Sequence, residues 1–74
     1  MFFIYILYSE SSDVFYIGHT DDWNRRFREH NESPHTTYTS KHRPWTLMAV
    51  FQCGDERRLA LEIERFIRSR NQEQ

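Results

Sequence analysis

Two aromatic and β-branched segments, joined by a short polar turn, constrain the fold of this chain more than any other feature. The segments are Phe2–Tyr8 and Val14–Gly18, and Ser9–Asp13 separates them. Residues of this kind are enriched in strands, and clusters of Ser and Asp mark the turns between strands. The sequence therefore predicts a β-hairpin near its start.

The register of this hairpin decides whether two tyrosines meet. With the loop centred between Glu10 and Ser11, Tyr5 lies opposite Tyr16 and the two phenols share one face. A slip of one residue would separate them, because side chains alternate along a strand. Two interpretations stay open at this point: the rings pack in the sheet, or a nearby cation lowers the pKa of one phenol and prepares it for chemistry.

The remaining elements follow from periodicity and capping. After three N-cap candidates, Thr20, Asp21 and Asp22, the sequence predicts a helix from about Trp23 to Asn31, a strand over Trp45–Phe51 and a helix from about Glu56 to Arg70. The apolar stripe of the final helix consists of Leu59, Ala60, Ile63, Phe66 and Ile67. The polar end, residues 71–74, is expected to fray.

The order of these elements predicts the fold class. Strand, strand, helix, strand, helix is typical of an α+β domain with a three-stranded antiparallel sheet flanked by helices. A chain of 74 residues has room for one domain, residues 1–74, and buries a limited core. Dimerisation is one way to supplement such a core.

Composition limits the classes of partner. The net charge is −1, with ten Lys and Arg against eleven Asp and Glu, so nucleic-acid affinity has to come from local clustering or from a metal. The lone Cys53 cannot form an internal disulfide, which favours a reducing, cytoplasmic setting. The apolar run Phe2–Tyr8 is too short to span a bilayer, so we expect no membrane partner.

The first predicted helix carries candidate functional residues beside its apolar stripe. Trp23 and Phe27 form the stripe, and Arg26 and His30 flank it on one side. Arg26 can bind a phosphate through its planar guanidinium, or it can pair with Asp22 four residues earlier. For His30 the alternatives are a bond to a tyrosine or phosphate, a proton shuttle, or a cap on the helix end.

Four segments in a fixed order resemble the GIY-YIG nuclease family. They are Phe3-Ile4-Tyr5, with phenylalanine in place of the family's glycine, then Tyr16-Ile17-Gly18, the helix Thr20–His30, and the helix Ala60–Arg68. The loop around Tyr38, with Pro44 and Leu47 after it, is also similar to small members of the family. Each motif alone is weak, but their order and spacing together are specific.

The resemblance implies a catalytic set and a metal. The catalytic residues carried over are Tyr5, Tyr16, Arg26, His30 and Glu64. One tyrosine helps to deprotonate the attacking water and the other orients water or phosphate, without a choice between them. Glu64 is implied as the ligand of Mg²⁺ or Mn²⁺, although periodicity alone does not distinguish it from Glu62, and an exposed pair with Arg68 is the alternative.

A basic loop is the candidate nucleic-acid surface. The polar connection from Glu32 to Pro44 is long for a compact domain, and loops of this kind are often functional. The candidate contacts to a nucleic-acid backbone are Arg25, Tyr38, Lys41, His42 and Arg43. A solvated, charged loop is the alternative interpretation.

Three functions are compatible with these observations. The first is a divalent-metal-dependent endonuclease that hydrolyses DNA, with branched or nicked DNA as candidate substrates and activity that is weak or structure-selective. The second is a non-catalytic nucleic-acid-binding module of the same fold. The third is a protein-interaction domain that uses aromatic side chains such as Tyr8 or Trp45, with a homodimer or another protein as its partner.

Overall fold

A computed structural model describes residues 1–72 of the chain. Its elements are β1 Phe3–Ser9, β2 Val14–Thr20, α1 Trp23–Glu32, a short 3₁₀ helix Thr39–His42, β3 Trp45–Gln52 and α2 Arg57–Gln72. The predicted α+β class and the order β-β-α-β-α are confirmed. The 3₁₀ helix lies inside the segment predicted as a loop. Fraying is expected for residues 71–74, of which residues 73 and 74 lie outside the described residues.

The three strands form an antiparallel sheet in the order β2-β1-β3, with β1 in the centre. Tyr5 pairs with Gly18, and Leu7 pairs with Tyr16. The prediction that Tyr5 lies directly opposite Tyr16 is therefore wrong. The register differs from the predicted one by two positions, which leaves both phenols on the same face, because side chains alternate with a period of two.

The hairpin loop explains this register. Ser9 pairs with Val14, so the loop is centred one residue later than the sequence suggested. Asp13 closes the loop with a positive φ of 54°, a conformation that Asp tolerates better than most residues. Its side chain accepts a hydrogen bond from the Tyr8 hydroxyl at 2.8 Å. The loop geometry thus depends on one aspartate that the turn pattern alone does not single out.

The two faces of the sheet are covered by different helices. On one face Tyr5, Leu7 and Trp45 form a buried cluster, against which the α1 side chains Trp23 and Phe27 pack. The opposite face of β1 and β2 carries other buried side chains, and α2 contacts these two strands. Alternation along β1, together with the pairing of Leu7 with Tyr16, therefore assigns Tyr5 and Tyr16 to the α1 face.

The buried side of α2 differs from its apolar stripe. Ala60 is fully buried, but Leu59 and Phe66 from the predicted stripe are 45% and 61% exposed. Glu64 lies on the buried side instead and is 7% exposed. A polar residue thus lies on the buried side of the helix, although periodicity alone does not distinguish it from Glu62. Across residues 1–72, no helix combines the length and the apolar character needed to cross a bilayer.

Candidate active site

Tyr5, Tyr16 and His30 form an aromatic group on the α1 face. The Tyr5 hydroxyl and His30 Nε2 lie 2.9 Å apart in a buried hydrogen bond, whose donor depends on the imidazole tautomer. The ring centres of Tyr5 and Tyr16 are 6.2 Å apart, and those of Tyr16 and His30 are 4.8 Å apart. The hairpin and the last turn of α1 therefore bring together three residues that are distant in the sequence.

Gly18 allows Tyr5 to occupy its position. A Cβ atom at Gly18 would lie 2.5 Å from the Tyr5 hydroxyl oxygen and 2.6 Å from the ring carbon that carries it. Atoms this close would clash, and the buried Tyr5 ring has no free space to move into. The glycine of the Tyr16-Ile17-Gly18 segment is therefore required by the tyrosine on the neighbouring strand.

The surroundings keep Tyr5 and His30 uncharged. Burial raises the pKa of the Tyr5 phenol well above its usual value, Tyr16 adds to this shift, and the positive charge of Arg26 opposes it. Burial, followed by the charge of Arg26, lowers the pKa of His30 to about 4. At neutral pH a neutral phenol therefore meets a neutral imidazole, and Tyr5 is poorly suited to act as a base.

Arg26 projects from α1 beside this group. Its guanidinium donates to Glu29 Oε1 at 2.8 Å, one turn further along the helix, and the side chain is partly exposed. The alternative pairing with Asp22 does not form, because Asp22 caps the helix and accepts from the backbone N–H of Arg25. The ion pair that holds Arg26 is exposed, so it is weak and open to exchange with a phosphate.

An open cleft of about 390 Å³ joins these residues to the loop after α1. Tyr16, Arg26 and His30 line it from the sheet and the helix, and His35 and Tyr38 line it from the loop. Tyr5 does not contribute to the lining and lies behind His30. The cleft therefore offers two phenols, one guanidinium and two imidazoles to a ligand.

Glu64 lies at the outer edge of the sheet, beside β2. Its Oε1 atom is 2.6 Å from Nδ1 of His19, and its Oε2 atom accepts from Arg68 at 3.1 Å. The alternative pairing with Arg68 thus forms, but around a buried carboxylate rather than an exposed one. Glu62, which periodicity could not exclude, is exposed. The guanidinium of Arg68 also lies 5.9 Å from the centre of the Tyr16 ring, which connects Glu64 to the tyrosine group.

The residues around Glu64 fit a divalent ion with an open coordination shell. Within residues 1–72, no group of three or more His, Cys, Asp or Glu side chains is arranged to hold a metal. A closed cage of protein ligands is therefore not formed there. One buried carboxylate with waters and a substrate phosphate is an ordinary shell for Mg²⁺, and Glu64 can supply that carboxylate.

The basic loop residues occupy different settings. Lys41 and Tyr38 are exposed, and Arg25 is exposed on α1. The His42 ring packs against Tyr38 at an interplanar angle of 56° with ring centres 4.7 Å apart, and its Nδ1 atom bonds to the Ser12 hydroxyl. Charged, aromatic and exposed side chains of this kind can contact a nucleic-acid backbone.

Arg43 points back into the protein instead. It donates to the backbone oxygens of His30 at 2.6 Å and of Ser33 at 2.8 Å. These bonds satisfy carbonyl groups at the end of α1, which otherwise lack partners. The structure therefore gives Arg43 a supporting position, with its guanidinium bound to the helix end that carries His30.

Two residues of the site were missed by sequence reasoning. His19, which pairs with Glu64, lies in the last two residues of β2, beyond the predicted strand. Asn31 bonds through its side chain to both the backbone N–H and the carbonyl of Trp45, at 2.7 and 3.2 Å, and so fastens α1 to β3. The alternation of β2 continued past Gly18 could have indicated His19, but the Asn31 contacts carry no local signal.

Comparisons with known proteins agree with this architecture. The sequence model of the GIY-YIG catalytic domain matches residues 1–74. A UPF0213 protein of Haloquadratum walsbyi is 40% identical over 70 residues, which are 93% of this chain and 78% of that protein. The structure-specific endonuclease subunit SLX1 of Meyerozyma guilliermondii is 39% identical over 66 residues, which are 82% of this chain and 22% of that subunit. No solved structure gives a significant match.

The family match extends over the same residues that build the sheet, the cleft and the Glu64 position. It confirms the resemblance inferred from the ordered segments of the sequence. The chain belongs to the GIY-YIG family.

Proposed function

We propose that this protein is a divalent-metal-dependent endonuclease that hydrolyses phosphodiester bonds in DNA. The observation that carries the proposal is the convergence of Tyr16, Arg26 and His30 on one open cleft, in a chain that belongs to a nuclease family. Phosphodiester hydrolysis needs an activated water, stabilised charge on the phosphate and a protonated leaving oxygen. The residues around the cleft offer groups for these tasks.

Tyr16 is the tyrosine that we assign to water activation. It lines the cleft, whereas Tyr5 is buried and its high pKa keeps it protonated. Tyr5 is then a positioning residue, which holds His30 through the hydrogen bond between them. His30 lines the cleft and is neutral at physiological pH, so that it can accept a proton there.

Arg26 is the group that we assign to the scissile phosphate. Its planar guanidinium matches two phosphate oxygens, and its present partner Glu29 lies on the exposed side of α1. Binding of substrate would replace one charge-assisted hydrogen bond by two. The accumulated negative charge of the reacting phosphate strengthens this contact during the reaction.

Glu64 is the residue that would hold the metal, with waters and the substrate completing the shell. Mg²⁺ or Mn²⁺ bound there would polarise the phosphate and stabilise the departing oxygen. Arg68, bonded to the other carboxylate oxygen, fixes the orientation of Glu64 and extends towards Tyr16. The metal at Glu64 on one side of β2 and the cleft residues on the other side would then act on the same phosphate.

The substrate that we propose is branched or nicked DNA. The SLX1 relative is a structure-specific endonuclease subunit, and the low net charge of this chain argues against tight binding to any duplex. Contacts to the DNA backbone would come from Arg25, Tyr38, Lys41 and His42. SLX1 is a subunit of an endonuclease, so a protein partner is part of the same proposal and would supplement this small surface.

A cleavage assay with matched variants tests the proposal. Supercoiled plasmid and branched or flapped DNA would be incubated with Mg²⁺ or Mn²⁺ and the wild type, Glu64→Ala or Glu62→Ala. Glu62 lies on the same helix but is exposed, so its replacement controls for the loss of a negative charge on α2. We expect metal-dependent cleavage by the wild type and Glu62→Ala, and none by Glu64→Ala.

Two other outcomes would contradict the enzyme. Equal cleavage by all three proteins would indicate a contaminating nuclease. No cleavage by the wild type, with retained binding to DNA in a gel-shift assay, would favour the non-catalytic binding module. Circular dichroism of each variant shows whether the fold is kept, since Glu64 bonds to two side chains in the native state.

A further inference from the structure

We propose that His19 is a second protein ligand at the Glu64 site, and that the resulting nitrogen and oxygen pair favours first-row transition ions over Mg²⁺. The inference rests on the proposed function, because it takes Glu64 to be the metal ligand. It adds a residue that neither the sequence motifs nor the comparisons indicate. It also changes the class of ion that the site would bind most tightly.

The distance between the two side chains carries the inference. Nδ1 of His19 and Oε1 of Glu64 are 2.6 Å apart, and both side chains are largely shielded, with 19% and 9% of their surfaces exposed. Two donors bound side by side to an octahedral ion lie about 3 Å apart, since each sits about 2.1 Å from the metal. The observed distance between Nδ1 and Oε1 is only slightly shorter than this. A small movement of the two side chains apart would therefore make room for an ion.

The backbone holds both residues in place. His19 is part of the β2 ladder and pairs with Ile4 of the central strand. Glu64 lies near the middle of α2, a helix that contacts β1 and β2. Sites built on strands and helices keep their geometry better than sites built on loops. The pair is therefore preorganised by elements on both sides.

Arg68 leaves one carboxylate oxygen for the metal. It donates to Oε2 of Glu64 at 3.1 Å, while Oε1 faces His19. The hydrogen bond orients the carboxylate in the manner of an outer-shell partner of a metal ligand. An ion that bonds to Oε1 would replace the contact between Glu64 and His19 without disturbing the contact between Glu64 and Arg68.

The imidazole sets the preference among ions. Mg²⁺ is a hard cation that takes oxygen ligands, whereas imidazole nitrogen suits the later first-row ions such as Co²⁺ and Ni²⁺. The neutral ring can bind a metal through Nδ1 when its proton is on Nε2. A site with one carboxylate alone gives no such preference, so His19 is the residue that would create it.

Metal binding without DNA tests the inference. Isothermal titration with Co²⁺ and with Mg²⁺ would compare the wild type with His19→Ala and His19→Gln. The glutamine keeps a hydrogen-bond donor for Glu64 but lacks the imidazole nitrogen, so it separates coordination from support. We expect both variants to lose about tenfold or more in Co²⁺ affinity, while Mg²⁺ affinity changes less than about twofold.

Two further proteins make the result specific. Glu62→Gln removes an exposed carboxylate of the same helix and is expected to bind Co²⁺ like the wild type. Glu64→Gln removes the proposed carboxylate and is expected to lose both ions. In the wild type, Co²⁺ should shift or broaden the NMR signals of the His19 ring before those of the other histidines.

The outcomes distinguish this inference from the proposed function. Loss of Co²⁺ binding in Glu64→Gln but not in either His19 variant would overturn the role of His19 and leave Glu64 as the ligand. Equal losses of both ions in the His19 variants would overturn the ion preference. Unchanged binding in Glu64→Gln would overturn the inference and, in addition, remove the metal ligand from the proposed endonuclease.

Discussion

Tyr5 belongs to the core and to the candidate site at the same time. Its ring is among the largest fully buried side chains, and its hydroxyl group holds His30. Gly18 makes this dual position compatible with the sheet, because the Tyr5 ring lies directly over the missing side chain. The second motif therefore contains a glycine for a reason of packing between strands.

Gly18→Ala tests this packing. The added methyl group would overlap the Tyr5 ring, so we expect the free energy of unfolding to fall by about 1–3 kcal/mol, as is typical of overpacked cores. Urea denaturation measures the change. In a Tyr5→Leu background the same substitution should cost less, because the ring is gone. Equal costs in both backgrounds would show that the clash is not the cause.

Arg26→Lys tests the phosphate contact. Lysine keeps the positive charge but cannot form two parallel bonds to a phosphate, so we expect the cleavage rate to fall about tenfold or more. The rate on the preferred DNA substrate is the measurement. Arg28→Lys, an exposed change on the same helix, is the matched control and should cleave like the wild type. A rate for Arg26→Lys equal to that of Arg28→Lys would reduce Arg26 to a surface charge.

His30 gives the stability a dependence on pH. Its pKa is about 4 in the folded protein against 6.5 for the free side chain, so the unfolded chain binds a proton that the folded chain does not. Above the pKa of the unfolded state, 6.5, the free energy of unfolding is not reduced by this group. As the pH decreases from there towards about 4, the pKa of the folded state, the free energy of unfolding falls. We expect the wild type to lose more stability than His30→Gln across this window, as measured by denaturation at several pH values.

The exposed His35 provides the control for this titration. His35→Gln makes the same replacement at an exposed histidine, and its curve is measured beside that of His30→Gln. Parallel curves for the wild type and His30→Gln would mean that the pKa of His30 is the same in the folded and the unfolded protein. That result would contradict a pKa lowered by burial.

At the scale of elements, the end of α1 is fastened twice. Arg43 binds backbone oxygens of its last turn, and Asn31 binds both backbone groups of Trp45. Both connections lie next to His30, which occupies the same turn. The position of the His30 imidazole therefore depends on the contacts that join α1 to the loop and to β3. The helix alone would not fix it.

Arg43→Ala tests the first of these connections. It removes charge-assisted bonds to backbone carbonyls, so we expect a loss of about 1.5–3 kcal/mol in the free energy of unfolding. Thermal or urea denaturation measures it. Lys41→Ala, two residues earlier and exposed, should change stability by less than about 0.5 kcal/mol. Similar values for both variants would indicate that the Arg43 bonds do not hold the helix.

The elements themselves were predictable because their signals are local. The hairpin, α1 and β3 follow from periodicity and capping, and their observed bounds lie close to the predicted ones. The register was not, since it depends on the backbone conformation of Asp13 in the turn. The choice of Glu64 over Glu62 came from the family resemblance, and the bond between Glu64 and His19 joins residues 45 positions apart, beyond any local pattern.

At the scale of the whole molecule, the weak net charge limits DNA binding to a few contacts. The exposed or partly exposed cations that we assign to DNA contacts are Arg25, Arg26 and Lys41. If each neutralises one phosphate, the logarithm of the affinity should fall with the logarithm of the salt concentration with a slope of roughly −2 to −3. Cleavage of undistorted duplex at physiological salt is therefore expected to be slow.

A salt titration of DNA binding measures this number of phosphate contacts. Lys41→Ala should reduce the size of the slope by about 1, because one phosphate contact is lost. Arg43→Ala should leave the slope unchanged, since its guanidinium faces the protein. Fluorescence anisotropy with a labelled branched DNA provides the measurement. If Arg43→Ala changed the slope and Lys41→Ala did not, the DNA contact would have to be assigned to Arg43 instead of Lys41.

The position of Tyr5 on the central strand has a consequence for how this protein can change over time. Packing and chemistry can change independently of each other only where they depend on separate residues. Here one ring serves both, and its neighbour Gly18 is fixed by it. A substitution that improved packing at this position would change the candidate site as well. Adaptation of this domain to new substrates is therefore expected to proceed through the loop and the edge of the sheet, where Tyr38, Lys41 and His19 lie.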